Sequence, residues 1–117
     1  MAISNKPLLW LPFAVGGTLA ALLVPALMLV FLIDAFGQWP AGALTYERVI
    51  AFVGHPLIAA GLFVFITLLF WHSAHRLRMT LQDLGVRRAG TRRVVALVCY
   101  VAAVVGTGLA GWVLFGV

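Results

Sequence analysis

The sequence predicts an all-α membrane protein with three transmembrane helices, and three observations carry that prediction. Of its 117 residues, 64% are hydrophobic and 9% charged, with a mean hydropathy of +1.13, which is more apolar surface than a soluble domain of this size can hide. Uncharged apolar stretches occupy 8–33, 56–74 and 94–117, each reaching the roughly 20 residues that a helix needs to cross about 30 Å of hydrocarbon. None alternates apolar and polar residues as an outer-membrane strand would, so the backbone polar groups must be satisfied within helices. A water-soluble enzyme is excluded, and residues 1–117 form a single transmembrane unit.

The first stretch follows Lys6 and is much longer than the roughly 7 to 15 apolar residues of a cleavable signal core, so it is expected to stay as an anchor. Pro25 within it removes a backbone hydrogen bond and predicts a kink. Gly37, Pro40 and Gly42 mark a non-helical loop. Thr45 is placed to cap a short helix over 46–53, with Glu47 near its positive end and Tyr46 as an anchor, a segment expected to lie on the membrane surface. Gly54 and Pro56 end it and open the second span. That helix is expected to outlast the membrane, running through Arg76 and Asp83 until Gly85 stops it. Small residues at four-residue spacing, Gly16 with Ala20, Gly17 with Ala21, and Ala102, Gly106 and Ala110, prepare close helix packing. The bulky residues left over require lipid or further helices as neighbours, so the chain reads as part of a larger assembly.

Charge sets the orientation. Eight Lys and Arg against three Asp and Glu give +5, an excess that in a soluble protein would point to nucleic acid and here points to the bilayer. Segment 76–93 holds Arg76, Arg78, Arg87, Arg88, Arg92 and Arg93 against Asp83, whereas the 34–55 connection holds Asp34, Glu47 and Arg48. The positive-inside rule makes 76–93 cytoplasmic, which places the N-terminus inside and the C-terminus outside. The loop arginines serve topology and anionic-lipid contact on that reading.

No metal-binding cysteine cluster, phosphate-cradling glycine loop or nucleophile with a base is present, and Cys99 has no partner for an internal disulfide. Catalysis confined to this chain is not expected. Polar groups at membrane depth are costly and therefore informative. Trp71, His72, His75, Arg76 and Arg78 cluster at the end of the second span, and His72, His75, Arg76, Met79 and Asp83 share one helical face. Trp10, at the start of the antiparallel first span, comes to nearly the same level. An indole N–H, an imidazole and a guanidinium at one depth suit the carbonyl oxygens of a quinone between flat apolar walls. The competing reading makes the tryptophans interfacial belt residues and the arginines snorkelling anchors. Haem is not expected, because His55 and the His72 and His75 pair lie at opposite ends of one span and cannot sandwich an iron.

The run Trp-Pro-Ala-Gly-Ala-Leu-Thr-Tyr-Glu-Arg-Val-Ile-Ala-Phe over 39–52 resembles the outer loop of the small D anchor of bacterial quinol:fumarate reductase, a 13 kDa hydrophobic protein. Pro7-Leu8-Leu9-Trp10 with Gly16, Gly17 and Pro25 is similar to the first helix of that family, and Trp71, His75, Arg76, Asp83 and Leu84 are similar to the end of its second. The third span matches in hydropathy alone. The resemblance implies a four-subunit complex in the bacterial inner membrane. In it a flavoprotein carrying FAD reduces fumarate, an iron–sulfur subunit passes electrons, and the C and D anchors bind menaquinol and hold both on the cytoplasmic face. It implies that this subunit is non-catalytic by itself, that Trp10 and Arg76 line the quinone pocket nearest the iron–sulfur subunit with His75 beside them, and that Trp71 and His72 adjoin. The proton-accepting carboxylate then comes from a partner. The chain departs from the family pattern at His72, where a small thiol residue is the rule, and at Arg78, Met79 and Gln82, where histidines cluster.

Three other functions compete. A small succinate dehydrogenase anchor also has three spans but carries an inner Asp-Tyr pair, absent from this sequence. A small multidrug transporter relies on a carboxylate buried mid-span, whereas Asp34, Glu47 and Asp83 lie outside the spans. A structural accessory protein would use the Trp10, His75 and Arg76 level only as a membrane boundary.

Overall fold

The computed structural model describes residues 5–116. Four helices follow in order: α1 Lys6–Ala35, α2 Tyr46–Val53, α3 Pro56–Asp83 and α4 Ala89–Phe115. Three of them, α1, α3 and α4, are long and apolar enough to cross a membrane. Helix α3 is the centre, with α1 packed on one flank and α4 on the other. The particle is elongated, 56 × 31 × 29 Å. Lys6 and the 84–88 connection share one end, which carries most of the positive charge, and the 36–45 connection and α2 lie at the other.

Glycine stops two of the helices by the same device. At the end of α1, Gly37 turns to φ +67°. The Gln38 and Gly37 amides then bond back to the Ile33 and Asp34 carbonyls at 3.1 and 2.8 Å. At the end of α3, Gly85 turns to φ +120°, and Val86 and Gly85 reach the Leu81 and Gln82 carbonyls, both at 3.3 Å. These are Schellman closures, which satisfy the carbonyls a helix end leaves open and need a residue at positive φ. The Trp39 indole N–H adds a 3.0 Å bond to the Val30 carbonyl, folding the loop back on α1. Helix α3 opens on Pro56, and the His55 Nδ1 accepts the Leu57 amide at 3.2 Å as a side-chain cap.

Two local expectations are refined. Thr45 is the N-cap of α2, but its side chain makes no capping bond, so Glu47 in the first turn is the remaining side-chain stabiliser of that end. Helix α4 starts at Ala89 rather than near Val94. Hydropathy ends where charge begins, but the helix does not, and Arg92 lies on its first turns with a 3.2 Å bond to Gln82 Oε1 of α3. The connection between α3 and α4 is therefore only 84–88, and the rest of the basic segment is helical. Helix α1 runs through both Pro12 and Pro25, and at Pro25 the Ala21 carbonyl loses its helical donor.

Packing relies on small side chains, as expected where lipid supplies no hydrophobic drive between helices. Among the described residues the buried side chains are Ala59, Ala74, Cys99 and Ala103, of which Ala74, Cys99 and Ala103 form a cluster edged by Val95 and Tyr100. A methyl group at Gly16 would strike the Leu68 carbonyl of α3, and one at Gly106 would lie 2.7 Å from the Phe70 ring. Gly111 sits against Phe63, whose ring meets Phe115 edge-on at 5.6 Å. Thr18 and Thr67 return their hydroxyls to the Ala14 and Phe63 carbonyls of their own helices at 3.0 and 2.7 Å, so neither presents an unpaired donor to lipid.

Candidate functional site

The polar face of α3 is assembled around one aromatic ring of α1. Because Gly16 and Gly17 carry no side chain, α1 lies close enough for His72 to occupy the space a Cβ on Gly17 would take, with ring atoms within 2.8 Å of that position. The His72 Nδ1 is 2.9 Å from the Phe13 carbonyl oxygen. A carbonyl can only accept, so Nδ1 carries the proton and, in the neutral ring, Nε2 is the acceptor. Phe13 stacks on His72 at 4.5 Å with 13° between planes and meets His75 edge-on at 4.7 Å.

His75 faces the other way, toward α4. Its Nδ1 lies 3.1 Å from the Tyr100 hydroxyl, to which Arg78 donates at 3.3 Å. With its oxygen accepting from Arg78, the hydroxyl keeps its own proton to offer His75. The Arg78 guanidinium also stands 5.9 Å from the Tyr100 ring centre, and Trp71 packs on that ring at 5.3 Å. The Arg78 Nε is buried without a hydrogen-bond partner.

Two grooves flank this polar level. One, about 600 Å³, lies between α1 and α3 and is lined by Phe13, Ala14, Gly17, Thr18, Ala21, Leu22, His72 and Arg76. The other, about 360 Å³, is bounded by all three long helices and holds Leu8, Pro12, Thr67, Trp71, Tyr100 and Thr107 among its walls. The structure thus brings His72 and Arg76 together on the first groove and puts Trp71 on the second, while His75 lines neither and touches Phe13 of the one and Tyr100 of the other. Trp10 lies on the stripe of α1 that continues through Ala14, Gly17 and Ala21. It is 64% exposed and belongs to the walls of neither groove. Along α3, His72 is about 24 Å and Arg76 about 30 Å from Pro56, so Arg76 reaches the edge of a hydrocarbon layer begun at that proline.

Phe13, Tyr100 and Arg78 were not singled out together by the sequence. Tyr100 had a signal, a hydroxyl inside an apolar span, which must find a partner. Phe13 had none, since one phenylalanine among eight is ordinary in such a chain.

The chain matches the family model of the fumarate reductase D subunit over residues 1–115. It belongs to the fumarate reductase D-subunit family. The fumarate reductase D subunit of Mycobacterium bovis is 39% identical over 111 residues, covering 95% of this chain and 87% of that protein. Its Mycobacterium tuberculosis counterpart gives the same figures. The fumarate reductase D subunit of a Shewanella species is 35% identical over 116 residues, covering 95% of this chain and 91% of its own length. Members of this family are anchor-type components of an enzyme complex, in agreement with three membrane-length helices and the resemblance read from 39–52. The transporter reading is set aside by this membership.

Proposed function

We propose that this chain is the D anchor of a menaquinol:fumarate reductase. It sits in a bacterial inner membrane with its basic end in the cytoplasm, where it and a second hydrophobic protein, the C anchor, hold the iron–sulfur and flavoprotein subunits. The FAD and the iron–sulfur clusters belong to those partners, and this chain performs no redox step by itself. The positive-inside rule supports the sidedness, because Lys6 and six arginines gather at one end.

The observation that carries a quinone role is the pairing of His72 and Arg76 on one groove at the membrane edge. A quinone ring needs a flat apolar slot and polar partners for its oxygens. Phe13, Ala14 and Leu22 supply the slot, and Arg76 and His72 supply the partners, so the residues present fit one side of the ring. The bound quinol supplies two electrons and two protons. Arg76 would donate to a ring oxygen and offset negative charge on it. His72 Nε2 accepts a hydrogen bond while Nδ1, committed to Phe13, fixes the ring. Trp71 lines the neighbouring groove and Trp10 stands exposed on α1 outside both, so neither is a wall of this one, and His75, tied to Tyr100 and Phe13, keeps α3 in register with both neighbours. The carboxylate that takes the proton onward belongs to a partner, since Asp34, Glu47 and Asp83 lie off this level. A haem held between two histidines of this chain is not expected, because His55 lies at one end of α3 and His72 and His75 lie near the other.

The test is Arg76→Leu in the assembled complex. Loss of one charge-assisted bond lowers quinol-dependent fumarate reduction about 10- to 100-fold. Reduction driven by a water-soluble dye that feeds the iron–sulfur and flavin partners stays at the wild-type level, as does the amount of complex in the membrane. Equal activity with quinol and with dye would overturn the quinone role and leave Arg76 as a membrane-boundary residue.

A further inference from the structure

Two residues beyond Arg76, and so about 200° round α3, Arg78 opens onto a different site. Arg78, Gln82, Ala89, Arg92, Arg93 and Ala96 line a cavity of about 270 Å³ between the end of α3 and the start of α4. Its arginines have little to neutralise them. Arg92 is bonded to the uncharged Gln82, Arg78 holds the Tyr100 hydroxyl with its Nε buried and unpartnered, and α4 has no acidic residue in its first turn. Asp83, the one acid of this region, is exposed and forms no ion pair with them among the described residues.

This cup does not stop at the membrane edge. Arg93 and Ala96 also line a shallow groove of about 480 Å³ on the surface of α4 itself, which continues past Leu97, Tyr100 and Val101 to Val105. From Arg93 to Val105 is about 18 Å of helix, against about 15 Å for one leaflet of hydrocarbon. Arg78 lies about 33 Å along α3 from Pro56, which is headgroup depth.

We infer that the cup and groove form a binding site for one anionic phospholipid, its phosphate held by Arg78, Arg92 and Arg93 and one acyl chain lying along α4. Free phosphate has no use for the apolar half, and a partner's apolar helix has no use for the arginines. A phosphodiester joined to a hydrocarbon chain matches both in the right order and over the right length. The site is independent of the quinone groove, since the two are on different sides of α3.

The test is native mass spectrometry with lipid extraction on the whole complex, purified and exchanged into nanodiscs of phosphatidylglycerol and phosphatidylcholine. Wild-type complex retains phosphatidylglycerol at about one molecule per copy of this chain. The double change Arg92→Gln and Arg93→Gln lowers that retention about 25-fold, at roughly fivefold for each surface arginine. Arg87→Gln with Arg88→Gln removes the same charge outside the cup and leaves retention within about twofold. Ala96→Leu, which fills the junction without touching a charge, also expels the lipid. Equal loss in both double variants, or retention unchanged by Ala96→Leu, would overturn the site in favour of diffuse charge attraction. Cross-linking of Leu97→Cys to a partner subunit in the lipid-loaded complex would overturn it in favour of a protein neighbour.

Discussion

Gly16 and Gly17 decide how near α1 comes to α3, and hence whether His72 can reach the Phe13 carbonyl at all. A single methyl at position 16 meets a backbone carbonyl, which cannot rotate away. Gly16→Ala should therefore destabilise the isolated chain in detergent by about 1 to 3 kcal/mol, the usual range for overpacking. Gly61→Ala, with open space around it, should be neutral or gain up to about 1 kcal/mol from helix propensity. Chemical unfolding followed by circular dichroism compares the two, and equal effects would mean that the close approach is not what holds the helices. The sequence showed these glycines as small residues at helix-packing spacing, but their partners could not be read from it. Spacing along α3 gave the depth of His72, His75 and Arg76, yet direction round the bundle depends on which helix packs where. That is why His75 turns to Tyr100 while His72 and Arg76 share a groove. His55 entered the sequence reading only through its place at the far end of the span from His72 and His75, which spoke against a haem pair. Its role is a cap, and His55→Ala should cost about 0.5 to 2 kcal/mol while His55→Asn retains most of the stability.

Helix ends were more legible than helix partners, because termini are set by local chemistry that a few residues carry. Gly37, Gly85, Pro56 and the stretch over 46–53 each mark a boundary found in the fold. At Gly85, φ is +120°, a conformation that side chains with a Cβ rarely adopt. Gly85→Ala should cost about 1 to 3 kcal/mol and disturb the turn that sets Arg92 against Gln82. Gly90→Ala, inside α4 and surrounded by open space, should raise the melting temperature instead. Thermal melts of the two variants in one detergent give opposite signs if the turn at 85 is what demands glycine. The start of α4 escaped the sequence because a hydropathy run reports the hydrocarbon boundary. Five residues of helix, Arg92 and Arg93 among them, stand outside that boundary and form the cup beside Arg78.

The whole molecule is built to be covered. Its accessible surface is 9144 Å², against about 6,200 Å² for a compact soluble monomer of the same mass. Membership of an anchor family and three membrane-length helices account for the excess as the area that lipid and neighbouring proteins occupy. Architecture was thus legible from hydropathy alone, while orientation rests on charge, which shows as an asymmetry between the two ends of the bundle. If the positive-inside rule governs this chain, alkaline phosphatase fused after Gly116 should be active in the periplasm, and the same enzyme fused after Arg88 should be inactive. The arginines then become testable as the cause. Changing Arg87, Arg88, Arg92 and Arg93 to Gln while placing Arg at Gln38 and Ala41 reverses much of the bias between the two connections. That variant should raise activity of the fusion after Arg88 and lower that of the fusion after Gly116. Unchanged activities would mean that partner subunits, rather than the basic end, orient the chain during assembly. A strain lacking those partners separates the two causes, because charge acts on the chain alone and assembly does not.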